Sequence, residues 1–571
     1  MGDPSPEGLV ERATSWMRVD PDPDTRAALA AVLADGDRAL LEELVGRRLA
    51  FGTAGLRGRM GPGPNRMNRL MVRQCAAGLA RVLLAEGPAV ASRGVVVGHD
   101  ARHHSHDFGA DAVAVLVDHG IDALAFSGPV PTPLVAEALR RTGAAAALMV
   151  TASHNPATDN GVKVYWRDGA QIVAPVDARI AAAIDEVATT MAAAATAAQA
   201  DAELRPHRGV GTVQPLGTAT SGVEADAYVA AAVALGDGRP LHPVPVAITS
   251  MHGVGGGLVE RVLSEAGHGP LHEVPEQRTP DPDFPTVTFP NPEEPGALDR
   301  VLEVARSTGA VVALANDPDA DRLAVAAADH DGRWRPLTGD QTGALLADHL
   351  LERAVHRGER DLLVASTVVS SRLTARLTEA AGGHYVETLT GFKWLCRPGL
   401  EHPEWTQVLL YEEALGYAIG PSARDKDGIT AALAVVDLVT ALAARGRTVW
   451  DALDDLDHRH GAHVTRNGSV TTSGPGREDR LAGVVDQLAL APPATLGGIA
   501  VERSDRPAPD VLRMWTVDDT RVALRPSGTE PKLKYYCEAV VPVGPDLAGA
   551  RRVAAARLDA VAGDLVALVR S

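Results

Sequence analysis

Several short stretches of this chain hold residue types that could do chemistry together. Thr151-Ala152-Ser153-His154-Asn155-Pro156 follows the apolar run 148–150. Its Asn-Pro pair favours a turn, so Ser153 is expected on a loop at a strand end. A serine hydroxyl is a weak nucleophile and takes part in chemistry only with a base, a metal or a pre-attached phosphoryl group. Taken alone, Ser153-His154 reads as an ordinary turn or cap, and its companions decide otherwise. Asp317-Pro318-Asp319-Ala320-Asp321-Arg322 follows the apolar run 311–315. Three carboxylates at alternate loop positions can converge on one hard cation, and oxygen-only ligands favour magnesium or calcium over zinc. An EF-hand does not fit, because Arg322 stands at the sixth loop position and Ala328 at the twelfth, where Gly and Glu are required. The bland alternative is a solvated acidic turn. Three carboxylates leave room for a further ligand, and a phosphoserine oxygen would suit.

Arg525-Pro526-Ser527-Gly528-Thr529-Glu530-Pro531 lies between the apolar runs 522–524 and 533–536. Gly528 lets the backbone turn N–H groups inward, two hydroxyls add donors, and Arg525 supplies a bidentate cation. Lys532 and Lys534 add positive charge. The composition is that of a phosphate cradle, though not the P-loop pattern, and a plain β-turn is its alternative. Tyr411-Glu412-Glu413-Ala414-Leu415-Gly416-Tyr417 sets paired carboxylates after an apolar run, where they could accept hydrogen bonds from sugar hydroxyls; otherwise it is an exposed acidic turn. Arg424-Asp425-Lys426-Asp427-Gly428 follows, and could be merely a charged helix start. Phe51-Gly52-Thr53-Ala54-Gly55-Leu56-Arg57-Gly58 is a Gly-rich loop with one cation, weak evidence by itself.

The elements that must position these loops read as α/β. Short apolar runs at 95–97, 148–150, 246–248 and 311–315 each end in a polar or Gly-rich loop and alternate with helical stretches. Ligands in such folds sit at strand ends. A helix is expected over 25–49, an Ala-rich helix over 180–203, and a linker over 207–222. The Pro-rich stretch 275–295 is expected to wrap a domain edge. After His463 the sequence loosens, 475–509 is mixed, and a compact C-terminal unit is expected from Val511 to a last helix over 548–569.

A chain of 571 residues exceeds one hydrophobic core and implies about three to five domains. Its 45% hydrophobic and 22% charged residues are those of a soluble globular protein. The formal net charge of −18 argues against nucleic-acid or anionic-membrane partners. It also means that a phosphate ester would need a locally basic site. Cys75, Cys396 and Cys537 lie far apart with no CxxC spacing, which fits a reducing compartment without disulfide framework or zinc site. The first thirty residues are polar and acidic, and no apolar stretch is long enough to cross a bilayer, so a cytoplasmic location is expected.

Taken together, the motifs from Phe51 to Tyr536 resemble the α-D-phosphohexomutase superfamily of phosphoglucomutases, phosphomannomutases and phosphopentomutases. The resemblance implies three related α/β domains and a smaller C-terminal α+β domain around a central cleft. The expected boundaries are 1–206 with the phosphoserine loop, 223–330 with the magnesium loop, 331–462 with the sugar-binding loop, and 463–571 with the phosphate-binding loop. Ser153 matches the phosphoryl-carrying serine, and Asp317, Asp319 and Asp321 match the magnesium ligands, completed by the Ser153 phosphate. Arg322 matches the basic residue beside the metal loop. Arg57 and Lys163, the latter in Asn160-Gly161-Val162-Lys163, match cations flanking the reacting group. Glu413, with Glu412 beside it, matches the sugar-hydroxyl acceptor. Arg525, Ser527, Gly528 and Thr529 match the loop holding the non-reacting phosphate. Leu415 stands where many members have Ser, so the resemblance does not carry over one hydroxyl contact to the sugar. That loop, the motif at Phe51, and Leu389-Thr390-Gly391-Phe392-Lys393-Trp394 look more like the branch containing phosphopentomutase and glucose-1,6-bisphosphate synthase. Gly391 and Lys393 are accordingly expected to contact substrate.

The activity so implied is a phosphosugar mutase, an intramolecular phosphotransferase, with Mg2+ as cofactor and glucose 1,6-bisphosphate as activator. Glucose 1-phosphate and 6-phosphate are the expected pair, with mannose phosphates also open and pentose phosphates as the alternative. Lys426, Lys163 and His154 are candidates for the proton acceptor, the lysines because crowding by other cations lowers a lysine's pKa. Two other classes compete: a phosphatase, which would let water finish the reaction, and an inactive sugar-phosphate sensor. The phosphate cradle disfavours the first and the intact nucleophile, carboxylates and cradle disfavour the second. Expected partners are small sugar phosphates, with no nucleic acid or membrane, for a monomer or homodimer.

Overall fold

The apolar runs that end in polar loops become the strands of sheets, and the candidate residues sit on the loops that leave them. A computed structural model describes residues 6–50, 55–194, 196–204, 211–471, 477–526 and 532–570. The chain divides into two compact units, Met1–Ala324 with Ala423–Val436 and Val325–Ser422 with Asp437–Ser571.

The first unit begins with helices Pro6–Val19, Pro23–Asp35 and Arg38–Val45. The single helix expected over 25–49 is broken because Gly36 turns left-handed at φ 67° and Asp37 caps the next helix through Leu40 N. The helix Pro6–Val19 escaped the sequence reading. Its buried face is Leu9, Ala13 and Trp16, with Met17 and Val19 partly buried beside them, and polar residues are interspersed among these.

Strands β1 (Leu56–Arg59), β2 (Val95–His99), β3 (Ala123–Ala125), β4 (Ala146–Val150), β5 (Asp159–Trp166) and β6 (Val213–Pro215) form one sheet in the order β1-β5-β4-β2-β3-β6. β2 is parallel to β3 and β4, and every residue of β2 and β4 is buried, which is why both read as continuous apolar runs. β5 returns antiparallel to β4, with Lys163 opposite Met149, and β1 adds antiparallel to β5, with Arg57 opposite Gly161. The β4–β5 connection is the Ser153 loop. Helices Arg69–Ala85 and Val176–Ala193 pack together, and Gly78 makes that approach possible: a Cβ there would lie 2.5 Å from Ile184 Cγ1. The Ala-rich helix ends at Ala193 and resumes at Ala197–Leu204, because Ala194 is extended. The expected linker is not all linker, since β6 within it pairs with β3 and closes the sheet edge; its residues 207–210 lie outside the described residues.

β7 (Val246–Thr249), β8 (Leu271–Glu273) and β9 (Val312–Asn316) are parallel with β7 in the middle, and β9 delivers the aspartate loop. The Pro-rich stretch forms a short 3-10 turn at Pro275–Gln277 and then turns without strand or helix. The chain leaves the first unit within β10 (Leu323–Ala328), whose later residues pair antiparallel with β11 (Trp334–Pro336).

In the second unit β12 (Leu362–Thr367), β13 (His384–Thr388), β14 (Thr406–Glu412) and β15 (Gly416–Ile419) take the order β13-β12-β14-β15, parallel except for β15. The C-terminal sheet is antiparallel: β16 (Ala462–Thr471), β17 (Thr495–Leu496), β18 (Ile499–Ala508), β19 (Val511–Thr516), β20 (Arg521–Pro526) and β21 (Lys532–Val541), in the order β16-β21-β20-β19-β18-β17. Its core joins Val470, Leu512, Val522 and Leu533 to Leu558 and Leu565 of helix Leu547–Arg570. The sheet begins at Ala462, well before the compact stretch read from Val511 and beside the boundary of 463 that the resemblance implies. β16 pairs with β21 along its whole length and so belongs to the sheet despite its polar sequence. Three α/β sheets followed by a smaller α+β unit match the architecture expected from the sequence. Cys75, Cys396 and Cys537 are buried free thiols, and no described helix is long and apolar enough to cross a membrane.

Candidate active site

Ser153 sits where β4 ends, in a left-handed conformation at φ 53° and 1% exposed. For a residue with a Cβ this costs on the order of 1–2 kcal/mol, so tertiary contacts must hold it. Its N–H donates to Thr151 Oγ1 at 2.9 Å. Its hydroxyl donates to Asp317 Oδ2 at 2.6 Å, and His154 Nδ1 lies 3.2 Å from Oγ. The loop after β4 therefore meets the loop after β9, as strand-end loops of neighbouring α/β sheets can.

Asp317, Asp319 and Asp321 are all fully buried, and one oxygen of each lies within 4.8 Å of the others. The alternative of a solvated acidic turn is gone. Burial pushes the Asp317 carboxyl well above the usual range, and Asp319 and Asp321 add to that. Burial acts the same way on Asp319, but Lys163 overrides it and holds that group well below its ordinary value. For Asp321, burial and Asp319 are outweighed by Lys163, Lys426 and Arg322. Lys163, wholly buried on β5, donates to Asp319 Oδ2 at 2.7 Å and also to Asp321 Oδ2. Thr132 Oγ1 donates to Asp319 Oδ2 at 2.7 Å. The remaining oxygens, Asp319 Oδ1 and Asp321 Oδ1, are buried without a hydrogen bond among the described residues. Two orphaned carboxylate oxygens in a triad too crowded to ionise fully are what a hard, oxygen-seeking cation requires. The residues fit magnesium.

Lys163, Arg322 and Lys426 face this triad, and Arg57 acts on His154 beside it. Arg57 on β1 has its Nε buried and without a hydrogen bond among the described residues. Arg322 donates its N–H to Asp317 Oδ1 at 3.0 Å and its guanidinium to Glu293 Oε2 at 3.3 Å. Lys426 Nζ lies 2.8 Å from Asp321 Oδ2. Gly428 permits that approach: a Cβ there would sit 2.2 Å from Arg322 O. Burial, then Arg322 and Arg57, hold the His154 imidazole well below its usual pKa. Crowding by cations thus acts on His154, whereas Lys163 and Lys426 face carboxylates, contrary to the reason given for them from sequence.

In the second unit Glu413 Oε2 accepts from Thr367 Oγ1 and Ser370 Oγ, each at 3.1 Å. Glu412 ends β14, and both carboxylates are half-buried rather than on an exposed turn. Leu415 is buried at φ 61° in the β14–β15 turn. Gly391, at φ 106°, starts the short helix Phe392–Leu395, whose Lys393 Nζ lies 5.8 Å from the Trp394 ring centre. Arg525 on β20 donates to Thr390 Oγ1, which brings the 390–393 stretch beside β20. Ser527, Gly528 and Thr529 lie outside the described residues.

Sequence reasoning missed the residues that hold these groups. Tyr165 OH and Gln171 Nε2 each donate to Asp425 Oδ2 at 2.7 Å, and Tyr228 OH donates to Asp427 at 2.8 Å. Lys426 is thereby fixed between two clamped carboxylates. Arg521, almost fully buried, donates to the carbonyl of Ser370. The signal available was a lone polar group inside an apolar run, which single-sequence reading cannot pair.

Models of the phosphoglucomutase/phosphomannomutase alpha/beta/alpha domains I, II and III match residues 48–191, 226–332 and 338–459. The chain is similar to a probable phosphoribomutase of Schizosaccharomyces pombe, 35% identical over 92% of this chain and 93% of the relative. A probable phosphomannomutase of Haemophilus influenzae is 37% identical over 83% of this chain and 93% of its own. Among solved structures, a phosphoglucomutase/phosphomannomutase family protein from Burkholderia thailandensis shares the fold, with TM-score 0.67 and 21% identity over 90% of this chain and 99% of its own.

Proposed function

The chain belongs to the α-D-phosphohexomutase superfamily and is a sugar-phosphate mutase, and from that premise we propose that it interconverts glucose 1-phosphate and glucose 6-phosphate through a phosphoserine at Ser153. The observation that carries this reading is the 2.6 Å bond from Ser153 Oγ to Asp317, inside a buried carboxylate triad faced by Lys163 and Lys426. Phosphoserine 153 gives its phosphoryl group to the free hydroxyl of a sugar monophosphate: the bond to serine Oγ breaks as the bond to the sugar oxygen forms. The resulting bisphosphate turns round and returns its other phosphate to Ser153. Asp317, Asp319 and Asp321 would hold magnesium, which when bound offsets negative charge on the transferring group. Arg57, Lys163 and Arg322 supply fixed positive charge for the same purpose. The proton of the attacking hydroxyl passes to a neighbouring basic group, His154, Lys163 or Lys426. Glu412 and Glu413 accept from sugar hydroxyls, with Gly391 and Lys393 close to substrate, and Arg525 with Ser527, Gly528 and Thr529 takes the non-reacting phosphate. The domain boundaries that go with this reading are 1–206, 223–330, 331–462 and 463–571.

Incubation with glucose 1-phosphate, magnesium and a trace of glucose 1,6-bisphosphate tests the reading. Glucose 6-phosphate is expected; free phosphate alone would mean a phosphatase, and no product a sensor. A second substrate reading, ribose or deoxyribose phosphates, is favoured by Leu415 in the sugar loop and by the relative named a phosphoribomutase. Comparing turnover of glucose, mannose and ribose 1-phosphates decides between them, and a ribose rate tenfold above glucose would overturn the hexose assignment.

Arg525→Ala is expected to weaken affinity rather than chemistry. Losing a charged hydrogen-bonding partner in a shielded site costs about 2–5 kcal/mol, so KM for glucose 1-phosphate should rise by about thirtyfold or more. Ser153 should still be phosphorylated by glucose 1,6-bisphosphate, less efficiently. A variant with wild-type KM would show that the cradle has been misassigned.

A further inference from the structure

The Ser153 loop lacks regular secondary structure, yet its central residue holds a left-handed conformation that serine does not favour. One buried side chain spans the loop. Arg102 follows β2, and its side chain is 1% exposed. Its Nη2 donates to the carbonyls of Ser153 and Asn155, each at 2.6 Å. Its Nη1 donates to the carbonyls of Pro156 at 2.8 Å and Asp159 at 3.3 Å. Four carbonyls between 153 and 159 thus converge on one planar guanidinium. Asp100 Oδ2 lies 3.4 Å from Arg102 Nε, and the Phe284 ring lies 4.9 Å from the guanidinium carbon. Ser153 N–H is held separately by Thr151 Oγ1 at 2.9 Å.

This arrangement is more than a satisfied buried charge. Lysine could not present a rigid fork to several carbonyls, and an apolar residue would strip all four of the guanidinium, leaving Pro156 O only the Asp159 N–H at 3.0 Å. A phosphoryl group on Ser153 adds a charge of roughly −1.5 to −2 beside three buried carboxylates. Repulsion would swing an untethered loop outward. The guanidinium attaches the loop at several points and carries the opposite charge.

We propose that Arg102 is a positioning residue for Ser153, keeping its Oγ directed at Asp317 whether or not a phosphoryl group is attached. The inference rests on the reading of Ser153 as the phosphoryl carrier. Arg102 touches no reacting atom; it acts through the backbone of the residue that does.

The test measures kcat per phosphorylated serine, with phosphoserine counted by peptide mass analysis after incubation with glucose 1,6-bisphosphate, so that misfolded molecules drop out. A displacement of about 1 Å at a reacting group can cost about a hundredfold in rate. Arg102→Met is accordingly expected to lower kcat per phosphoserine by about a hundredfold, with KM for glucose 1-phosphate changed less than about threefold. Arg102→Lys should recover only part of the loss. Thr151→Val, which removes the hold on Ser153 N–H with little change of shape, should cost about tenfold in kcat. Wild-type kcat per phosphoserine in either Arg102 variant overturns the proposal. If neither is soluble, Thr151→Val decides, and wild-type kcat there overturns it equally. A wild-type enzyme whose Ser153 takes up no phosphate sinks both this proposal and the phosphoserine mechanism. Phosphorylated wild type with unimpaired variants sinks this one alone.

Discussion

Ser153→Ala is expected to fold as the parent does and to lose turnover by about 10⁴-fold or more, the scale seen when a nucleophile is removed. The Ser153 hydroxyl bonds Asp317 and approaches His154 but fills no apolar core. Its loss removes one hydrogen bond to a carboxylate, worth about 1.5–3 kcal/mol at most, and burial already favours the protonated form of Asp317, which lowers that cost. The left-handed backbone at this position is no worse for alanine than for serine. The parent should carry phosphate on Ser153 by peptide mass analysis and the variant none. Phosphate found on another residue, or a variant that still turns over glucose 1-phosphate, would exclude the covalent route.

Asp319→Asn should weaken magnesium binding and turnover together. Asp319 Oδ2 is shared by Lys163 and Thr132, while Oδ1 has no partner among the described residues and is the oxygen left for a cation. An amide there keeps the shape and removes the charge. The magnesium concentration for half-maximal activity should rise by about tenfold to a hundredfold, and kcat at saturating magnesium should fall by about a hundredfold, the loss of one charged ligand and of a fixed partner for Lys163. Stability should fall as well, because removing one partner of a buried ion pair leaves the other uncompensated; here the loss is smaller than the usual 3–5 kcal/mol, roughly 2, since Asp321 still faces Lys163. Magnesium titration of activity and a thermal melt without metal check the two halves. An unchanged magnesium dependence would mean that this loop holds no cation.

The amino-acid order alone determined the pieces whose chemistry is local. A turn-forming Asn-Pro after an apolar run is enough to place Ser153 on a strand-end loop, and carboxylates at alternate positions are enough to make the aspartate loop a cation candidate. Both depend on neighbours a few residues away. The helix boundaries failed where one residue's backbone decided them, at Gly36 and Ala194, and β16 was missed because its pairing with β21 outweighs its polar composition. What only the tertiary structure decided is which distant groups share each buried charge. Lys163 is named from the sequence only through its likeness to a family cation; the antiparallel return of β5 is what brings it to carboxylates more than 150 positions away. Arg102 is likewise a lone cation after a strand until the loop folds its carbonyls onto it. Lys426 reaches Asp321 because a short segment, Ala423–Val436, packs with the first unit while its sequence neighbours belong to the second. A buried ion must find its partners among whatever strands and loops the packing makes adjacent, and adjacency between α/β sheets is a property of the whole chain's topology, which local residue order does not carry.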